Sequence, residues 1–253
     1  MKISVVMPVF NTKANYLHES VLNIFTQTYP IHEIIIVNDG STLDETLIEL
    51  DRMRNLPLVR VIDQENKNMA HATNTGIQNM TGDWCAFCSS DDRWFLNKIE
   101  EQTKFIESNP GIKVVYCDWE FINNEGFSLR AYREPEFKNR FKAGKHIIRA
   151  YFGNWSGMMI HKSVFDDIGL FNENYPTRGD YEFNIRILIK YMMYRVPKIL
   201  LQYRIHPDQV TSSKDLGTRS FEAKKYCEMA RDLAIKHFGD DEDRKQFPLG
   251  RKI

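Results

Sequence analysis

Along the first half of the chain, short apolar runs alternate with stretches in which apolar residues return every third or fourth position. Ile3 to Val9 reads as a buried strand ended by Pro8 and Asn11. Leu17, Val21, Ile24 and Phe25 then recur at helical spacing. Ile34-Ile35-Ile36-Val37 is a continuous β-branched run, the pattern of a strand covered on both faces, and it stops at Asn38-Asp39-Gly40-Ser41. Thr42-Leu43-Asp44-Glu45 has the spacing of a capping box and predicts a helix start. Leu58 to Ile62 reads as a third strand, Ala70 to Met80 as a helix, and Trp84 to Cys88 as a fourth strand. Ser89-Ser90-Asp91-Asp92 ends that strand, and Phe95, Ile99, Gln102 and Ile106 mark one face of the next helix. Strand then helix, four times over, predicts an α/β fold with a mostly parallel central sheet and helices on both faces. In such sheets ligands bind beyond the carboxyl ends of the strands, so Asn11, Asp39 and the Asp91-Asp92 pair should gather on one rim.

The rhythm changes after the strand-like Val114-Val115-Tyr116-Cys117. Residues 118–155 show no clear period and read as an irregular segment. Ser156 to Ile160 is a strand candidate, Asp180 to Tyr191 a helix, and Lys198 to Ile205 a strand. Phe221 to Phe238 carries Ala223, Tyr226, Cys227, Ala230, Leu233, Ala234 and His237 at amphipathic helical spacing, with Lys224, Lys225, Arg231 and Lys236 as a solvated face. The charged tail after Gly239 reads as loose. The implied organisation is one domain over 1–215, with halves 1–117 and 118–215, then a C-terminal helix and tail over 216–253.

Composition narrows the classes. Lys plus Arg equals Asp plus Glu at 34 each, so no net charge draws the chain to nucleic acid or to an anionic membrane. Hydrophobic residues make up 42% of the 253, enough for a sizeable core. No apolar stretch approaches the ~20 residues of a spanning helix, which leaves peripheral membrane contact as the only kind expected. Cys85 and Cys88 have C-x-x-C spacing, but strand alternation sends them to opposite faces and no second pair sits nearby. They read as buried apolar residues, and unpaired cysteines fit a reducing cytoplasm.

Four places can carry chemistry. Asp91 and Asp92 are adjacent carboxylates at a strand end, which suit Mn²⁺ or Mg²⁺ shared with substrate phosphates; Asp92 reads equally as an acid favoured by the start of the next helix. Asp39 can accept the ring N–H of uracil, thymine or guanine, or can be a turn residue. Asp180, in Arg178-Gly179-Asp180-Tyr181-Glu182, suits a general base at a helix start and equally an N-cap. Arg204 and His206 share a strand face and can meet a diphosphate; His206 can also ligate metal.

Together these segments resemble family 2 glycosyltransferases with the GT-A fold. The resemblance rests on Val5-Val6-Met7-Pro8-Val9-Phe10-Asn11, Ile35-Ile36-Val37-Asn38-Asp39-Gly40-Ser41-Thr42, Asn74-Thr75-Gly76-Ile77 and Gly82-Asp83-Trp84 through Asp91-Asp92-Arg93-Trp94. Gly169-Leu170-Phe171-Asn172, Gly179-Asp180-Tyr181-Glu182 and Gln202-Tyr203-Arg204-Ile205-His206-Pro207-Asp208-Gln209 complete it, in order, over residues 3 to about 213. It implies a nucleoside pocket at Pro8, Val9, Phe10 and Asn11, base recognition by Asp39, and donor contacts at Asn74, Ser90 and Arg204. It further implies Asp91 as metal ligand, Arg204 and His206 near the diphosphate, and Asp180 as catalytic base. Ser89 stands where the family often has Asp, and Gly179 where it often has an acid. Both departures resemble the spore-coat polysaccharide synthesis type. No Gln-x-x-Arg-Trp segment of processive polymerases occurs, which implies transfer of single sugars.

The resemblance therefore implies inverting transfer from a UDP- or dTDP-linked sugar to a glycan, lipid-linked or protein-linked acceptor in surface polysaccharide or glycoconjugate synthesis. A sugar-1-phosphate nucleotidyltransferase would want a glycine-rich basic loop after strand one, and the first glycine is Gly40. A dehydrogenase would want G-x-G-x-x-G there. A catalytically inactive carbohydrate-binding protein would bind without turnover, a reading that Asp91 and Asp180 oppose.

Overall fold

The computed structural model describes residues 1–209 and 218–246. The predicted alternation is present: β1 (Ile3–Val9), α1 (Ala14–Phe25), β2 (Glu33–Asp39), α2 (Asp44–Met53), β3 (Val59–Gln64), α3 (Met69–Asn79), β4 (Trp84–Phe87), then a two-residue β5 (Arg93–Trp94) and α4 (Lys98–Ser108). β6 (Val114–Ile122), β7 (Ser128–Tyr132), α5 (Arg140–Ile147), β8 (Met159–His161), α6 (Lys162–Ile168), α7 (Gly179–Lys190) and β9 (Tyr194–Arg204) follow. α8 (Thr218–Phe238) and α9 (Asp241–Gln246) close the described chain.

The sheet runs β3-β2-β1-β4-β8-β6-β9-β5, with β7 on β6. The first four strands pair in parallel. β8 lies antiparallel to both β4 and β6, so β6 runs with β4, and β9 pairs parallel to β6. The carboxyl ends of β1, β2, β4 and β9 therefore open on the same rim. Strand alternation splits the core. Val5, Met7 and Val9 join Leu17, Leu50 and Ile99 under α1, α2 and α4; Val6 faces the other cluster, with Ala70, Ile147, Ile187 and Ala234 from α3, α5, α7 and α8.

Four expectations change. Residues 118–155 are not irregular throughout: β6 continues to Ile122, turns into β7, and α5 follows. The capping box does not form, because Leu43 is the N-cap, Thr42 turns to Asn11, and Glu45 Oε2 accepts the amide of Ala14 at 3.0 Å. Asp92 starts no helix, since α4 begins at Lys98. The tail is not loose at its start: Asp243 of α9 is fully buried and meets Lys145 at 2.8 Å and Arg149 at 2.5 Å. The boundary expected at 215/216 lies outside the described residues. Cys85 and Cys88 do fall in opposite clusters, and burial pushes both thiols well above their ordinary range.

Candidate active site

The rim is built one strand end at a time. After β1, Asn11 takes a positive φ of 49°. Its Oδ1 accepts the amides of Thr42 at 2.7 Å and Leu43 at 3.0 Å, which ties the first loop to the second. Pro8 and Val9 belong to β1, while Phe10 is 52% exposed beside them.

After β2, Asp39 is buried but well supplied with donors. Oδ1 accepts Gln64 Nε2 at 2.6 Å and the Lys67 amide at 3.2 Å; Oδ2 accepts Asn66 Nδ2 at 3.3 Å. Gln64 also meets His71 at 2.8 Å, whose far nitrogen meets Lys67 Nζ at 3.0 Å. Gly40 is required at this corner. Its φ is +69°, and a Cβ there would lie 2.7 Å from the Asn66 nitrogen.

Beyond β4 the polar run separates into four roles. Ser89 Oγ accepts from Ser156 Oγ at 2.9 Å, and Ser90 Oγ meets Thr12 Oγ1 at 2.6 Å. Asp92 points inward and accepts the Arg204 amide at 3.0 Å. Burial first, and the neighbouring Asp91 carboxylate second, push its pKa up to about 8. Asp91 points outward, and its Oδ2 lies 2.9 Å from His206 Nε2. The His206 ring leans on Tyr16, centroids 5.1 Å apart, and its buried Nδ1 has no partner among the described residues.

Arg204 is placed differently from the expectation of a diphosphate ligand. Its side chain is 1% exposed and spent on the protein. Nε donates to the Asp91 carbonyl at 2.9 Å, Nη1 to the Asn124 carbonyl at 2.9 Å, and Nη2 pairs with Glu19 at 2.5 Å. Its guanidinium also lies 4.5 Å over the Tyr16 ring. Arg204 thus fixes the backbone on which Asp91 is mounted.

Asn74 is likewise committed. Its amide clamps Phe171 in both directions at 2.9 Å and reaches Glu173 Oε1 at 2.9 Å. It joins the two halves of the chain rather than facing open solvent. Asp180 lies in the first turn of α7, half-buried, after Arg178 in a left-handed conformation. Tyr151 lies beside it, and burial first, then the Asp180 carboxylate, push that phenol well up.

Sequence reading missed Tyr16, Gln64, Tyr151 and Ser156. Each sits in an ordinary local pattern and gains its place only through a partner distant in the chain. Among the described residues no group of three or more His, Cys, Asp or Glu side chains converges on a point. Asp91 and His206 nevertheless fit a metal. A carboxylate and an imidazole that meet at one point offer two ligands, and such ions complete their shell with phosphate oxygens and water.

Comparison with known proteins follows the same lines. The model of glycosyl transferase family 2 matches residues 4–169. An uncharacterized glycosyltransferase of Rickettsia felis is 31% identical over 210 residues, which cover 82% of this chain and 35% of the relative. The Bacillus subtilis uncharacterized glycosyltransferase YwdF is 28% identical over 222 residues, 87% of this chain and 80% of that protein. The chain spans about a third of the length of the relatives from Rickettsia felis and Rickettsia conorii. In fold, the chain resembles residues 1–349 of S. aureus TarS crystallised with UDP-GlcNAc, with a TM-score of 0.72 at 19% identity over 97% of this chain and 69% of that one. No described helix is long and apolar enough to cross a membrane. The chain belongs to glycosyltransferase family 2.

Proposed function

We propose that the protein moves one sugar at a time, with inversion, from a UDP- or dTDP-linked donor to a hydroxyl of a glycan, lipid-linked or protein-linked acceptor. The observation that carries the reading is the Asp91–His206 pair, 2.9 Å apart on the rim that also bears Asp39. Asp39 receives the base, and the Asn11 loop and Ser90 border the nucleotide. Asp91 and His206 hold Mn²⁺ or Mg²⁺. When bound, the ion neutralises charge that grows on the leaving diphosphate. Arg204 acts through Asp91 by holding its carbonyl. Asp180 takes the proton from the acceptor hydroxyl as the oxygen attacks the anomeric carbon. Ser89 before the Asp pair supports a spore-coat synthesis type of site. The free cysteines support work in a reducing compartment.

The test is thermal unfolding with UDP, dTDP or GDP, each with and without Mn²⁺. A ligand at 100 times its Kd adds about 2.7 kcal/mol. UDP or dTDP should raise Tm, more so with Mn²⁺, and Asp91→Ala should remove the metal-dependent part. No rise with any nucleoside diphosphate would defeat the reading.

A further inference from the structure

Beside Asp180, on the face of the sheet that carries α5, α7 and α8, a cleft with a cavity volume of about 90 Å³ opens to solvent. Three guanidinium groups, from Arg149, Arg178 and Arg231, line it, and among the described residues no carboxylate does. Its floor is Tyr151, Tyr181 and Cys227. The three arginines come from three separate places: the end of α5, the residue before α7, and the middle of α8.

Two of them are anchored from behind. Arg149 Nη2 pairs with Asp243 at 2.5 Å, a carboxylate already shared with Lys145 at 2.8 Å. Arg231 Nε donates to the Ile148 carbonyl at 3.0 Å. This corrects the expectation that Arg231 belongs to a solvated face: it is half-buried, while Lys224, Lys225 and Lys236 are exposed. Arg178 is the third. Its φ of 63° is a conformation glycine or asparagine adopts more cheaply, and it makes no capping bond to α7. The strained backbone and the exposed guanidinium occur at the residue that borders both the cleft and, two positions on, Asp180.

We propose that this cleft holds a phosphate group carried by the acceptor, so that the hydroxyl to be glycosylated lies at Asp180. The proposal rests on the reading of Asp180 as the base. A phosphate presents enough oxygens for several guanidinium groups at once, and charge-assisted hydrogen bonds of this kind are the strong ones. The Tyr151 ring links the two functions: it lines the cleft and lies beside the Asp180 carboxylate. The phosphate is that of a soluble phosphorylated glycan or polyol, or of a lipid headgroup.

The test uses the full chain saturated with UDP and Mn²⁺, so that the donor site is filled. Glycerol 3-phosphate is titrated calorimetrically, and phosphatidylglycerol vesicles are compared with phosphatidylcholine vesicles by co-sedimentation. Arg178→Gly removes the cation while suiting the positive φ, so it should fold as well as the wild type; Arg149→Ala is the second variant. Binding of glycerol 3-phosphate alone assigns a soluble phosphorylated acceptor, and binding of the anionic vesicles alone a lipid-linked one. Either binding should weaken about tenfold or more in Arg178→Gly with UDP affinity unchanged. Absence of both bindings, or binding indifferent to both substitutions, overturns the proposal and leaves the donor reading standing. Phosphate binding in a protein that takes no nucleotide overturns the acceptor role together with that reading.

Discussion

Among the described residues two cations, Arg204 and Lys98, are fully buried, and the protein treats them in opposite ways. Arg204 meets the Asp91 and Asn124 carbonyls and Glu19, so its charge is matched on several sides. Lys98 has one neutral acceptor, Gln102 Oε1 at 2.9 Å, and the Trp94 ring 4.0 Å from its nitrogen. Burial lowers the Lys98 pKa to about 8 from 10.5. The unfolded chain then binds more protons than the folded one between these values, so this group adds stability as pH rises from about 8 toward 10.5. At neutral pH its charge is a cost. Lys98→Met should therefore stabilise the protein by about 1 kcal/mol at pH 7, after the lost bond to Gln102 is allowed for. The advantage should vanish, and then reverse, by about pH 10, because the neutral amine still donates to Gln102. Urea midpoints of both proteins across pH 7 to 10 measure this. A constant gap between the two curves would show that Lys98 titrates normally.

At the scale of elements, the part most legible in sequence is the part built on simple periods. β1 through α4 follow because buried parallel strands are continuous apolar runs and their helices carry one apolar face. The stretch from 118 to 155 was not legible, for reasons its residues make plain. β6 continues through Asp118 and Glu120, which look like loop residues until Arg195 and Gln202 of β9 satisfy them at 2.6–2.7 Å. Every residue of β7 is exposed, so it shows no alternation. α5 buries Ala143, Gly144 and Ile147, and a mid-helix glycine reads as a breaker. The candidate site divides the same way. Asp39, Asp91 and Asp180 stand out as candidates by their places after strands and at a helix start, whereas the burial of Arg204 is not visible in sequence, because its carbonyl partners at 123 and 124 lie some 80 residues away. Gly144 has a specific reason to be glycine: a Cβ there would run into the ring of Phe238, where α5 packs against α8. Gly144→Ala should lower Tm despite the ~1 kcal/mol that alanine gains in helix propensity. In a Phe238→Ala background the same change should cost less or stabilise, and that coupling is read from the double-mutant cycle. A Tm increase for Gly144→Ala alone would show that the ring moves aside freely.

The whole molecule places its chemistry where two differently built cores meet. The loops after β1 and β2 rest on the cluster under α1, α2 and α4; Asp180 and the arginine cleft rest on the cluster shared by α5, α7 and α8. Ile235 of α8 is fully buried in the second cluster, about one turn of helix from Arg231 and two from Cys227 at the cleft. Ile235→Ala should therefore destabilise by about 2–4 kcal/mol, a large share of the 5–15 kcal/mol of a typical domain. The loss should be uneven, because packing carries a cavity only to the elements that border it. Hydrogen exchange of the folded variant should quicken in α5, α7 and α8 while β1, β2 and β3 keep their protection. UDP affinity should stay within about twofold, since the part of the rim proposed to hold the nucleoside rests on the other core. Acceleration spread evenly over the sheet, with a matching fall in UDP affinity, would mean that the two clusters open as one unit. The acceptor side could not then move independently of the donor side.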